Sequence, residues 1–147
     1  MVEIADSALL TDLFGHWPDF HDAEIFALRL TSPEHSDPAL EAEFEVAEMS
    51  AEVDERGYYR DRCRTRATLR FERVARVRVE DYWLQNSVSA LHLEPAGPED
   101  YDDVLGPADP RARRRYRVRW GAHVGCRAAF LCDAVRVVRA APVAHAP

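Results

Sequence analysis

From residue 39 to 46 the chain alternates without a break: Leu40, Ala42, Phe44 and Val46 fall on one side, Glu41, Glu43 and Glu45 on the other. A period of two marks a strand with one face in the core and one in water. Residues 62–72 repeat the pattern, with Cys63, Thr65, Ala67, Leu69 and Phe71 opposite Arg62, Arg64, Arg66, Thr68 and Arg70. An earlier strand is predicted over "AEIFALRLT" (23–31), with Phe26, Leu28 and Leu30 on one face and Ile25, Ala27 and Arg29 on the other. Further strands are predicted at "VARVRVE" (74–80), "VSALHLE" (88–94), "RYRVRWG" (115–121), "CRAAFLC" (126–132) and "AVRVVRA" (134–140). In "CRAAFLC", Cys126, Ala128, Phe130 and Cys132 should share the buried face.

Only "DSALLTDLFG" has helical spacing. It places Leu9, Leu10, Leu13 and Phe14 on neighbouring turns, with Asp6 or Ser7 to cap the start and Gly15 to end it. "SPEHSDP" (32–38) is a turn by composition, and 49–60 is a polar connection around Gly57. The segment 95–110 has four prolines and a cluster of acids, and reads as the longest loop, with room for one helical turn at "EDYDDVL". One domain spanning 1–147 is expected, its last residues, 141–147, forming a frayed tail. The connections are too short for helical crossovers. The expected fold is therefore α+β, mainly β: an antiparallel twisted sheet of seven to eight strands with the short N-terminal helix on its apolar face, the alternative being a closed barrel or a two-sheet sandwich.

Charge changes this picture little. The net charge of −7 divides unevenly, with 15 acids against 3 arginines in residues 1–60 and 11 against 16 thereafter, or −12 and +5. A wholly nucleic-acid-binding surface is not expected, and "RARRRYRVRW" (111–120) reads as the wet face of a strand, Arg115, Arg117 and Arg119 alternating with Tyr116, Val118 and Trp120. Glu41, Glu43 and Glu45 opposite Arg62, Arg64 and Arg66 suggest a cross-strand charge ladder. No apolar run nears the roughly 18–20 residues that span a bilayer, and the N-terminus is acidic where a secretory signal is basic; no membrane partner and a cytoplasmic location are expected. Cys63, Cys126 and Cys132 form no CxxC pair and are expected to be reduced core thiols.

The densest chemistry lies in "HWPDFHDAE" (16–24). His21-Asp22 resembles the ligand pair of metal phosphohydrolases, and with Glu24 it defines an alternative function: a small metal-dependent or acid–base enzyme. That chemistry needs more ligands, and His35, His92, His123 and His145 sit singly in the sequence. The favoured reading is a structural corner in which Trp17 and Phe20 pack, Pro18 sets the turn and Asp19 or Asp22 bonds local amides. No catalytic residue, metal ligand or cofactor is expected. Two acidic loops, Glu52, Asp54 and Glu55 in one and Glu99, Asp100, Asp102 and Asp103 in the other, are candidates for steering a basic partner.

Four blocks taken together, "WPDFHDAEI", "VDERGYY", "LRFERVARVRVEDYWLQNSVSAL" and "GCRAAFLCDAVRVV", resemble in order those of the immunity protein 50 family of bacterial polymorphic toxin systems, from about Trp17 to Val138. The residues that match are Trp17, Phe20, His21, Asp22, Glu24, Gln85 and Asn86. One block departs: Tyr82, Trp83, Leu84, Gln85 and Asn86 stand where the family has a histidine before the Gln-Asn pair. The resemblance implies a binding protein that neutralises a cognate protein toxin stoichiometrically in the producing cell, without catalysis; beside the small enzyme, the other alternative is a structural domain without a toxin partner.

Overall fold

A computed structural model describes residues 2–34, 36–101 and 113–143, with backbone only for 49–51, 59–62 and 101. Its elements are β1 (Ile4–Ala5), α1 (Ala8–Phe14), β2 (Glu24–Thr31), β3 (Ala39–Val53), β4 (Tyr59–Glu72), β5 (Ala75–Glu80), β6 (Ser87–Pro95), a 3-10 turn (Pro98–Tyr101), β7 (Tyr116–Val124), β8 (Arg127–Cys132) and β9 (Ala134–Pro142). The nine strands form one open sheet in the order β1-β9-β4-β3-β2-β6-β7-β8-β5. Every pairing is antiparallel except that of β1 with β9. A mainly β fold with one short helix is thus as expected. The count exceeds seven or eight because β1, two residues long, is too short to show any periodicity.

A single bridging pair, Glu24 with Ser87, joins β2 to β6. On either side of that seam the two halves of the sheet face each other, because rings from strands that are not neighbours meet. Phe44 on β3 lies edge-on to Trp120 on β7 at 5.7 Å, and Phe71 on β4 edge-on to Phe130 on β8 at 4.9 Å. Trp120 and Phe130, 5.9 Å apart, join these pairs into one chain of T-shaped contacts, each worth roughly 0.5–1.5 kcal/mol beyond burial. The expected alternatives of barrel and two sheets give way to one sheet folded over its own apolar face. Leu10 and Phe14 of α1 are fully buried, and the helix rests on β9 and β4. Gly15 ends it at φ 82, while Ser7 stands at the N-cap without a capping side-chain bond.

The inner faces of β3 and β4 are as read, with Leu40, Ala42, Phe44, Val46, Ala67, Leu69 and Phe71 buried, but Thr68, expected on the wet face, is buried too where the β4–β9 register shifts. Cys126, Ala128, Phe130 and Cys132 also share the inner face. Four further expectations are corrected. The supposed connection 49–60 is mostly strand, β3 running to Val53 and β4 starting at Tyr59, since an antiparallel ribbon pairs its backbone whether or not its side chains reach the core. In β2, a bulge between Ile25 and Ala27 exchanges two residues, Ile25 being buried and Phe26 turned outward with the Arg66 guanidinium 4.1 Å from its ring centroid, while Leu28 and Leu30 keep the side opposite Ala42 and Leu40 and Arg29 faces Glu41. The ladder exists with shifted partners, Arg70–Glu41 at 3.1 Å, Arg66–Glu43 at 3.2 Å and Arg64–Glu45 at 3.2 Å, because the register sets Glu41 against Arg70 and Glu45 against Arg66. Finally, β9 continues through Pro142, paired with Thr65, so 141–142 belong to the sheet rather than to a tail. Of the expected long loop, the structure describes the turn Pro98–Tyr101; 102–112 lie outside the described residues. No helix among the described residues is long and apolar enough to cross a membrane.

Candidate functional site

Between α1 and β2 the chain turns a corner whose inside is apolar. Phe20 is buried, edge-on to Phe44 at 5.2 Å and tilted against Trp17 at 5.6 Å, and Ala23 is buried beside it. Asp19 makes the turn, its Oδ1 accepting the His21 N–H at 2.9 Å. Asp22 adopts φ 65, a left-handed conformation that aspartate tolerates, and its N–H donates to the Val88 carbonyl at 2.8 Å. Val88 in turn donates to Ala23 O at 2.8 Å. With Phe20 and Ala23 held inside, His21 and Asp22 are turned outward, their side chains 54% and 64% exposed.

A third side chain meets them there. The β6–β7 register passes from Ser87 opposite Val124 to Val88 opposite Ala122, which leaves His123 as the extra residue of a bulge. Bulges re-aim side chains, and this one puts His123 over the corner. Its Nε2 lies 3.3 Å from His21 Nε2 and 3.3 Å from Asp22 Oδ1, while His21 Nδ1 lies 3.1 Å from Asp22 Oδ2. The two rings stand nearly perpendicular, at 83°. One proton arrangement satisfies all three groups: His21 donates from Nδ1 to the carboxylate, and His123 donates from Nε2. Among the described residues this is the one set of three His, Cys, Asp or Glu side chains whose ligand atoms converge, all within 4.8 Å of each other.

The cluster borders an open groove of about 680 Å³ lined also by His16, Asp19, Glu24, Glu45, Glu48 and Arg64. Carboxylates dominate it. His16 Nε2 meets Glu48 at 2.9 Å, and Arg64 meets Glu45. Glu24, grouped with His21 and Asp22 in the enzyme alternative, accepts instead from Gln85 Nε2 at 3.5 Å and is absent from the converging set.

The other matched residues separate by role. Trp17 and Phe20 pack. Asn86 is buried, its Oδ1 accepting the N–H groups of Trp83 at 2.9 Å and Cys126 at 3.0 Å and its Nδ2 donating to Trp83 O at 2.8 Å. Those bonds fix a loop, residues 81–86, whose tip is apolar and exposed: Tyr82, Trp83 at 68% and Leu84 at 92%. Tyr82 Oη donates to Phe26 O at 3.2 Å. Of this tip, Tyr82 joins Phe26, Leu30 and Val79 along an apolar groove of about 510 Å³ between β2 and β5. Periodicity passed over both features, because 81–87 is aperiodic and His123 gains its partners only through pairing.

The acidic loops are more engaged than their composition suggests. Asp54 Oδ1 accepts from Arg56 N at 2.8 Å and Tyr58 N at 3.0 Å, forming the β3–β4 turn, whereas Glu52 and Glu55 are exposed. Glu99 and Asp100 both meet Arg117, at 3.3 and 3.4 Å, and Asp100 Oδ2 accepts from Gly97 N at 2.7 Å. Glu94 also bonds Arg117, at 2.7 Å, which holds its carboxyl below the usual range and Arg117 above its own. Asp102 and Asp103 lie outside the described residues. Comparison of the chain with family models, with curated proteins and with solved structures finds no match.

Proposed function

We propose that this chain is an immunity protein that neutralises a cognate protein toxin by stoichiometric binding, with the 81–86 loop as its central anchor. The observation behind this reading is the exposure of Trp83 and Leu84 on a loop that Asn86 holds rigid. Leaving large apolar side chains in water forgoes roughly 25 cal/mol per Å² of possible burial. A rigid apolar tip gives up little conformational entropy on docking, and tryptophan is over-represented among the residues that dominate interface energy. The adjoining groove at Phe26, Leu30, Val79 and Tyr82 extends this surface, and the resemblance of the sequence blocks to toxin immunity proteins supplies the kind of partner. Glu52 and Glu55, with the acidic groove, suit long-range steering of a basic toxin. The reading places the protein in the bacterial cytoplasm, beside its toxin before export.

Co-expression with the toxin encoded next to it tests this. Rescue of growth and a one-to-one complex are expected, with Trp83→Ala or Leu84→Ala weakening binding by at least about 30-fold, as a hot-spot loss of ~2 kcal/mol requires, at unchanged circular dichroism. A neighbouring toxin that kills equally with and without the protein, and does not co-purify with it, overturns the proposal.

A further inference from the structure

We infer that His21, Asp22 and His123 form a binding site for a divalent transition-metal ion of the zinc type, with at least one coordination position open to the groove. The inference is independent of the toxin reading, since it rests on the cluster alone.

Two imidazoles and one carboxylate are the donor set that zinc and its neighbours prefer, calcium and magnesium taking oxygen ligands instead. The spacing fits as well. Donors about 2.0–2.1 Å from a tetrahedral ion stand about 3.3 Å from one another. His123 Nε2 lies 3.3 Å from both His21 Nε2 and Asp22 Oδ1, so two edges of such a tetrahedron are already present. The third pair, His21 and Asp22, also offers one ligand atom each within 4.8 Å of the other and of His123.

The surroundings orient these donors. Metal-bound histidines usually give their second ring N–H to a carboxylate or carbonyl, which fixes the tautomer. Here His21 Nδ1 has Asp22 Oδ2 at 3.1 Å, directing the lone pair of Nε2 toward His123. The two ring nitrogens of His21 point away from each other, so Asp22 holds His21 in this way before an ion arrives and gives up that bond to ligate the ion once it is bound. The backbone is set by β6, since Val88 accepts the Asp22 N–H while its own register partner is Ala122, next to His123. Carboxylates from Asp19, Glu24, Glu45 and Glu48 line the adjoining groove and favour a cation there. Three protein ligands at a partly exposed position leave the fourth to water or to a partner's side chain.

Equilibrium dialysis of the untagged, chelator-treated full chain against zinc chloride tests the assignment. One ion per chain with micromolar affinity is expected. His21→Ala and His123→Ala should each weaken binding by at least about 100-fold, because loss of outer-shell partners alone costs roughly 10–100-fold. Asp22→Asn keeps a residue that tolerates φ 65 and should also weaken binding, while His16→Ala, in the same groove but paired with Glu48, should leave it intact. Circular dichroism of each variant separates ligand loss from unfolding. Millimolar binding to the wild type, or affinity that survives His123→Ala, overturns the inference.

Discussion

The side chain of Asn86 accepts the backbone N–H of Cys126 at 3.0 Å, tying the loop before β6 to the start of β8, 40 residues later. Its other bonds, to the N–H and carbonyl of Trp83, make it the fixed point of the exposed 81–86 loop. Asn86→Leu removes one buried bond, to Cys126, and two part-buried ones, to Trp83, leaving those groups without this partner, and should lower stability by about 1–3 kcal/mol. The urea midpoint measures this. Gly125→Ala should also destabilise, because Gly125 has φ 79 and a Cβ there would collide with Gln85 O and Asn86 Oδ1.

Phe44 touches both Phe20 and Trp120 and so joins the corner below His21 to the interior of the folded sheet. Phe44→Ala should cost about 3–5 kcal/mol. The same variant should loosen the packing of Trp120, seen as a change in tryptophan emission before global unfolding.

The ladder on the outer faces of β3 and β4 should add less than its number of ion pairs suggests. Arg70 and Glu41 keep 35% and 23% of their side-chain surface in water, so a double-mutant cycle on the pair should give a coupling of about 0.2–1 kcal/mol. Raising salt to about 1 M, where the screening length is roughly 3 Å, should shrink that coupling. A value that does not respond to salt would contradict the assignment.

Burial pushes the Cys132 thiol up to about 12 and raises that of Cys126, so neither forms much thiolate at pH 8. Cys63 is only half-buried, its thiol donating to the Leu13 carbonyl at 3.2 Å. A thiol reagent should label Cys63 first in the native protein and all three cysteines in denaturant, as mass spectrometry would record.

Acid should weaken the fold partly through Glu94. The hydrogen bond from Arg117 lowers its pKa in the folded chain, so its contribution is present above the unfolded carboxyl value of about 4.3 and is lost as pH falls through the folded one. Glu94→Gln should therefore flatten the acid limb of a melting-temperature profile below about pH 5. An unchanged slope would mean that the carboxylate is equally bonded in the unfolded chain.

Alternation alone located the strands between 39 and 140, apart from the ribbon at 49–60, and the apolar inner residues of β3, β4 and β7, because a half-buried strand must repeat every two residues. Tyr116, Val118 and Trp120 lie inside, as their spacing requires. The helix ending at Gly15 and the structural part of the 16–24 corner, with its Asp19 turn and packed Phe20, were legible for the same local reason. Pairing decided the rest. Neither the β2 bulge at Phe26 nor the β7 bulge at His123 is written in residue type, since a bulge is a mismatch between two strands and exists only once both are in register. His123 looked solitary in the chain, yet it stands 3.3 Å from His21. The ladder's partners and the folding of the sheet at Glu24 and Ser87 have the same origin, for they depend on which strands become neighbours. Local chemistry set what each segment is; only the tertiary structure decided which side chains meet.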